Sequence, residues 1–288
     1  MLEALMDRRQ GNFEKAIQEF NKAMTRDPRN STPIAALADT LVSTRQFYAS
    51  EQAYDRAIRV SPDQSLLRVK KAYDVTSKKT GDNTDVCSAI ASLPASIADD
   101  RSVSLFRLFL ALSDRDWLQA KELLEKINGG EDDGEFACGQ IPVPVDCYAI
   151  LITRLQEEQF EGNSKFVEVR QELSKRAERS PAKANLVSQL AVVDALLNNK
   201  VKAISEAKRA VEMLPVSRDA LDGPGMLINL AVVYAWTDEP DLAFATLAPL
   251  INIPSGIYYG QLSRDPYWEP LRKDPRYEKL LAELAPKD

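Results

Sequence analysis

The 34 residues from Ser31 to Gln64, STPIAALADTLVSTRQFYASEQAYDRAIRVSPDQ, decide how this chain is read. Ile34, Leu37, Ala38 and Leu41 recur at the three-to-four spacing of one helical face, and Ser50 and Tyr54 resume that spacing after a break. Two antiparallel helices follow. Small residues at Ala38 and Ser50 let them approach closely, while Ile34, Leu37, Leu41 and Tyr54 fill the space around the contact. Pro62 cannot continue the second helix and turns the chain onward. The same chemistry returns at a fixed offset of 34: Phe13 with Phe47, Phe20 with Tyr54, Ala23 with Ala57, Pro28 with Pro62, and later Pro181 with Pro215.

Further units share the register. Leu108, Ala111, Trp117, Ala120 and Leu124 mark one, and Val187, Leu190, Ala191, Ala203, Ala207 and Pro215 another. Leu227, Leu230, Ala231, Tyr234, Ala243 and Leu247 mark the next. A period of 34 with this pattern (W-x2-L-G-x2-Y, then A-x3-F, then P) resembles the tetratricopeptide repeat family over most of the chain. The resemblance implies an all-α, right-handed superhelix, an α-solenoid of about seven helix pairs. Residues 1–254 form the expected solenoid. Its surplus length is placed in an irregular loop at 128–145, rich in Gly, Asp, Glu and Pro, with a smaller surplus at Thr80–Asn83. Met1 falls inside what should be the first helix of its pair, which suggests a fragment. Residues 255–288 are expected to form a capping segment over the apolar edge of the last pair. There Asp265-Pro266, Glu269-Pro270 and Asp274-Pro275 open short turns, and Tyr277, Leu280, Leu281 and Leu284 share one helical face.

The run Leu214–Pro224, then Asn229-Leu230-Ala231, Tyr234-Ala235-Trp236, Ile253-Pro254-Ser255-Gly256 and Asp265–Tyr277, carries a narrower resemblance. It is similar to the C-terminal tetratricopeptide region of bacterial multidomain signalling proteins, in which a serine/threonine kinase, winged-helix or TolB-like module precedes the repeats. The likeness implies a sensory or docking half. No kinase glycine loop, HRD or DFG element is present in the sequence.

Composition narrows the chemistry. The 288 residues include no histidine, 11 glycines and three cysteines, with a net charge of −6. Without histidine there is no Ser-His-Asp or Cys-His system and no HExxH zinc site. The acidic balance argues against nucleic acid as a partner. No apolar run reaches the 18 or so residues of a membrane span, and the first residues lack the pattern of a signal peptide. No cofactor or metal is implied: Gly129–Glu135 fails the calcium-loop pattern, and Lys79-Thr80-Gly81 precedes the SxxK matches, the reverse of the penicillin-binding order. Cys87, Cys138 and Cys147 are either simple thiols or include a Cys138–Cys147 bridge.

The expected function is protein or peptide binding on the inner wall, which the first helix of each pair would line. Asp39, with Ala35 and Val42, would stand there early in the chain. Leu105, Phe109 and Leu112 would follow in the middle, and Ile228, Val232 and Trp236 late. These residues do not make the Lys/Asn clamp that holds acidic tails, and favour an apolar anchor. The same aromatic and aliphatic stripe could instead be core. Two other classes stay open: a carboxylate-based hydrolase built on the solenoid, and a purely structural assembly module. The oligomeric state is not encoded in any motif.

Overall fold

The computed structural model describes residues 1–98, 100–127, 145–156 and 164–286. Within them every regular element is helical. The order is α1 (Leu2–Arg9), α2 (Phe13–Arg26), α3 (Ser31–Ser43), α4 (Phe47–Val60), α5 (Leu66–Lys71), a π-helical segment (Ala72–Ser77), α6 (Lys78–Thr80), α7 (Thr84–Ala91), α8 (Arg101–Ser113), α9 (Trp117–Ile127), α10 (Val145–Gln156), α11 (Ser164–Arg179), α12 (Ala184–Leu196), α13 (Lys200–Met213), α14 (Gly223–Trp236), α15 (Pro240–Leu250), α16 (Tyr259–Arg264), a 3-10 segment (Pro266–Leu271) and α17 (Pro275–Leu284). Taking α5, the π segment and α6 as one first helix, α1 to α15 form seven antiparallel pairs. Each helix packs on its pair-mate, and successive pairs stack.

The two helices of a pair are built differently. Second helices carry a single apolar stripe: Phe13, Ala16, Phe20 and Met24 in α2, or Ala203, Ala207 and Ala210 in α13, are buried while the remaining faces meet water. First helices are covered more completely, as an element sandwiched between neighbours must be. The Ala38 and Ser50 contact is as close as the spacing requires, since the Ser50 hydroxyl donates to the Ala38 carbonyl at 3.0 Å.

The turn after the first helix repeats a left-handed residue. Gly11, Arg45, Gly81, Arg115, Asn198 and Asp238 all have φ between 59° and 82°. Glycine, asparagine and aspartate take this conformation readily, but an arginine there costs roughly 1–2 kcal/mol. Gly81 follows Arg45 by 36 residues, whereas Arg45 follows Gly11 by 34 and Arg115 follows Gly81 by 34. Most of the local surplus expected at Thr80–Asn83 therefore lies upstream of the turn. One extra residue precedes α5, and the first helix absorbs the other by widening into the π segment, where one extra residue fits into a turn. The surplus expected at 128–145 falls almost wholly outside the described residues.

Two long-range seams close the stack. Arg9 pairs with Asp219 and with Asp222 (2.7 Å), and the Ala220 amide donates to the Arg9 carbonyl at 2.7 Å. The first pair thus touches the connection that precedes the seventh. The second seam is the segment after α15. Its expected role was to cover the edge of the last pair, and α17 does pack on α15, with Arg276 bonded to Asp241 and stacked 4.5 Å from the Phe244 ring. Residues 255–269, however, run back across the turns of the second, third and fourth pairs. The Ser255 amide donates to Ser43 O (2.9 Å), the Tyr258 hydroxyl to Val42 O (3.0 Å) and Arg264 Nε to Gly81 O (2.9 Å). Val42 and Ser43 close α3 and Gly81 caps α6, so these carbonyls stand at helix C-termini, the negative end of the helix dipole.

The two left-handed arginines have their explanation here. Arg45 donates to Ile257 O at 2.8 Å and stacks 4.7 Å from the Tyr258 ring; Arg115 donates to Arg264 O at 2.7 Å and pairs with Glu269 at 3.0 Å. Gly260 sits so close to the third pair that a Cβ would stand 1.8 Å from Ser77 O. Tyr258, Leu262, Tyr267, Trp268 and Leu271 are all buried to 2% exposure or less. At about 1.5–3 kcal/mol for each large apolar side chain, lifting this segment away would cost on the order of 10 kcal/mol. It is a fixed part of the core, not a detachable flap.

Candidate functional site

A network of polar side chains lies where the π segment widens the third pair. The Tyr54 hydroxyl, from α4, lies 2.6 Å from Asp39 Oδ1 and 2.7 Å from Asp74 Oδ2. One phenolic proton cannot serve two carboxylates, so the remaining charge needs cations. Lys70 Nζ supplies one, 2.7 Å from both oxygens of Asp39, and Lys78 Nζ the other, 2.6 Å from Asp74 Oδ1. Burial opposes ionisation of Asp74, yet Lys78, Lys70 and the hydrogen bonds outweigh it and hold its carboxyl below the usual range. Burial likewise opposes the charge on Lys78, but Asp74 keeps it protonated, with its pKa above the ordinary lysine value. Burial and the two carboxylates push the Tyr54 hydroxyl well up, so it stays a donor. Lys78 also lies over the rings of Tyr73 (5.1 Å) and Tyr258 (5.4 Å).

Beside this network a hollow of about 530 Å³ opens between α5, the π segment and the start of α8. Leu66, Leu67, Tyr73, Ile97 and Phe106 make its floor, with Phe106 edge-on to Tyr73 at 5.8 Å between centroids. Asp63, Lys70, Asp74 and Asp100 stand at its polar edge. A second hollow, of about 630 Å³, lies beyond the tail between Arg45, Phe47, Lys78 and Tyr258, where Arg45 is engaged by Ile257 O and Lys78 by Asp74.

The seven wall residues expected from the repeat register separate into two groups. Phe109, Leu112, Ile228 and Val232 are buried, between 0% and 7% exposed, and belong to the core. Phe109 is turned edge-on to Tyr73 at 5.0 Å, while Leu112, Ile228 and Val232 pack into the large core cluster that reaches the tail. Asp39, Leu105 and Trp236 remain half-buried, and Trp236 spends its Nε1–H on Tyr267 O at 2.8 Å. α14 announced this burial: from Gly223 to Trp236 it contains no charged residue, so no face of it is suited to water. Lys70, Tyr73, Asp74 and Phe106 escaped the reading because the π segment shifts the register by which wall positions were counted. A run of six residues ending in Lys70-Lys71, followed by Asp74 and Lys78, was the available signal.

A second carboxylate cluster lies between α11, α12 and α13. Asp194 is fully buried and takes a two-pronged bond from Arg170 (2.6 and 2.7 Å) and one from Asn199 (2.6 Å). Burial, then the Asp194 charge, pushes the Glu206 carboxyl up to about 7. This raised acid does not line the hollow described above. Cys147 is buried and Cys87 exposed; Cys138, and with it the alternative of a Cys138–Cys147 bridge, lies outside the described residues. Among the described residues no group of three or more Cys, Asp or Glu could hold a metal ion, and no helix is long and apolar enough to cross a membrane.

Residues 4–30 match the tetratricopeptide repeat family model, a span covering most of α1, all of α2 and the turn beyond. None of the curated proteins matches the chain. A solved tetratricopeptide repeat protein from Parabacteroides merdae is similar at 10% identity, covering 98% of this chain and 96% of that one with a TM-score of 0.48. The helix-pair stack and the matched segment make this chain an all-α solenoid that carries a tetratricopeptide repeat in its first pair.

Proposed function

We propose that this chain is a protein-interaction module that holds a segment of a partner against the first helices of the second to fourth pairs. Tetratricopeptide repeats in general mediate contacts between proteins, and stacked pairs present an extended surface for them. One observation carries the location: the inner wall is half-exposed, polar and hollowed at Asp39, Lys70 and Phe106, while α12 and α14 are covered almost all round. The likeness of the last 75 or so residues to bacterial signalling proteins supports a docking or sensory role within such a protein.

The hydrolase alternative asks for two carboxyls in one hollow, one of them held protonated near neutrality. Asp39 and Asp74 are near each other, but both are committed to lysines, and Asp74 is pushed towards ionisation. The acid that is raised, Glu206, sits elsewhere. Nothing in the geometry favours that reading.

Site-specific photo-crosslinking of the full chain in its host tests the proposal. A crosslinker at Lys70 or Leu105 should yield a protein adduct, and one at Val201, 83% exposed on α13, should not. Adducts at Val201 with none at Lys70 would move the interaction to the outer face and overturn it.

A further inference from the structure

The hollow beside α5 carries a charge asymmetry that specifies its occupant. Its floor is apolar, and a volume of about 530 Å³ accepts one or two large side chains. Among the charged residues that line it, Asp63, Asp74 and Asp100 outnumber Lys70. Lys70 is taken by Asp39 and Lys78 by Asp74, both within 2.7 Å. Asp63 and Asp100 remain: both are exposed at the edge, and among the described residues neither is held in an ion pair. The neighbouring Arg68 is directed to the Pro62 carbonyl at 3.4 Å and makes an ion pair with neither. A site built from an aromatic-aliphatic floor and two carboxylates without an ion-pair partner fits an apolar side chain flanked by cations.

Resting on the proposed inner-wall function, we infer that the hollow between α5 and α8 docks a protein segment whose bulky apolar residue is flanked by Lys or Arg. The apolar residue enters between Leu66, Tyr73 and Phe106. The flanking ammonium or guanidinium groups meet Asp63 and Asp100, which lie on opposite sides of the entrance in sequence, one before α5 and one before α8. An acidic segment is rejected by the same two charges. This is the reverse of a clamp for acidic tails. The apolar contact supplies affinity, and the rim charges supply selectivity and a dependence on salt.

The test uses the full chain and three fluorescently labelled peptides of equal length, capped at both ends, with Gly/Ser flanks. Their cores are Lys-Phe-Lys, Glu-Phe-Glu and Lys-Ala-Lys, and binding is read by anisotropy. The Lys-Phe-Lys peptide should bind at least about tenfold more tightly than either other peptide. Asp63→Asn with Asp100→Asn should remove most of the preference over Glu-Phe-Glu. Both positions are exposed, so the unfolding midpoint should not move. Ser102→Trp, from an exposed position on the first turn of α8, should fill the hollow and abolish binding of every peptide. Equal binding of the Lys-Phe-Lys and Glu-Phe-Glu peptides overturns the inference, and so does binding that survives Ser102→Trp, or no binding by any peptide. The crosslinking at Lys70 reports separately. An adduct there with no cationic preference would leave the inner-wall function standing and remove only this account of its selectivity.

Discussion

α3 and α14 are the first helices of the second and seventh pairs, and by repeat register they occupy equivalent places. Their surroundings differ. α3 presents Asp39 at the wall, half-exposed and bonded to Tyr54 and Lys70, beside a hollow. α14 is enclosed: Ile228 and Val232 are covered, Asn229 Nδ2 donates to the Ser188 hydroxyl at 2.8 Å, and Trp236 is tied to the tail. The difference comes from what lies against each helix. The 3-10 segment Pro266–Leu271 packs on α14, whereas the same tail reaches the early pairs only along their turns and leaves the faces of α5 and α8 open. Position within a repeat therefore says which residues point inward. It does not say whether inward means solvent.

The largest expected effect tests the closed end. Ile228→Ala should cost roughly 2–5 kcal/mol of unfolding free energy, because the surrounding helices cannot collapse into the cavity. Phe106→Ala, at the open hollow, should cost only about 1–2 kcal/mol, the worth of a partly buried ring and one edge-on contact. Denaturant titration of both variants checks the contrast, and equal losses would erase it. Next in size is Gly260→Ala, where the new methyl meets the Ser77 carbonyl oxygen. A loss of about 1–3 kcal/mol is expected, with enhanced hydrogen exchange at Gly81 and in α16.

The third prediction concerns pH. The Glu206 carboxyl is held at about 7 against an ordinary 4.5, so the folded state keeps a proton that the unfolded state releases earlier. Its contribution to stability is complete below about pH 4.5 and is lost as pH rises to about 7. Glu206→Gln should flatten that slope when unfolding is followed between these limits. A smaller slope should survive from Asp265, which burial pushes up to about 6. The smallest effect belongs to the seam between the first pair and the connection before α14. Arg9→Ala should change stability by no more than about 1 kcal/mol, because the guanidinium is half-exposed, and high salt should mask the difference.

Much of the fold was legible because its determinants are local. Ala38 and Ser50 declared a close helix contact, Pro62 a stop, and the 34-residue recurrence a stack. Asp265 and Asp274 cap the elements that open at Pro266 and Pro275, accepting from Tyr267 N and Arg276 N. The candidate site was less legible. Asp39 and Leu105 are half-buried, whereas Phe109, Leu112, Ile228 and Val232, for which the spacing leaves both groove and core open, are buried. Amphipathic spacing distinguishes faces and carries no record of a second layer arriving from far along the chain. Lys70, Tyr73 and Phe106 were missed for a different reason: a π insertion alters which side chains share a face, and no residue type marks it.

By itself, the sequence determined that this chain is a stack of paired helices and that histidine-based chemistry is absent. Periodicity, proline placement and composition act over one or two turns, so one linear pass can read them. Only the tertiary structure decided where the wall is open. That depends on bonds such as Tyr258 to Val42 and Arg45 to Ile257, made between residues more than 200 positions apart. Such contacts form when helix-end carbonyls and left-handed turn arginines meet a segment from far along the chain. No local pattern encodes that meeting.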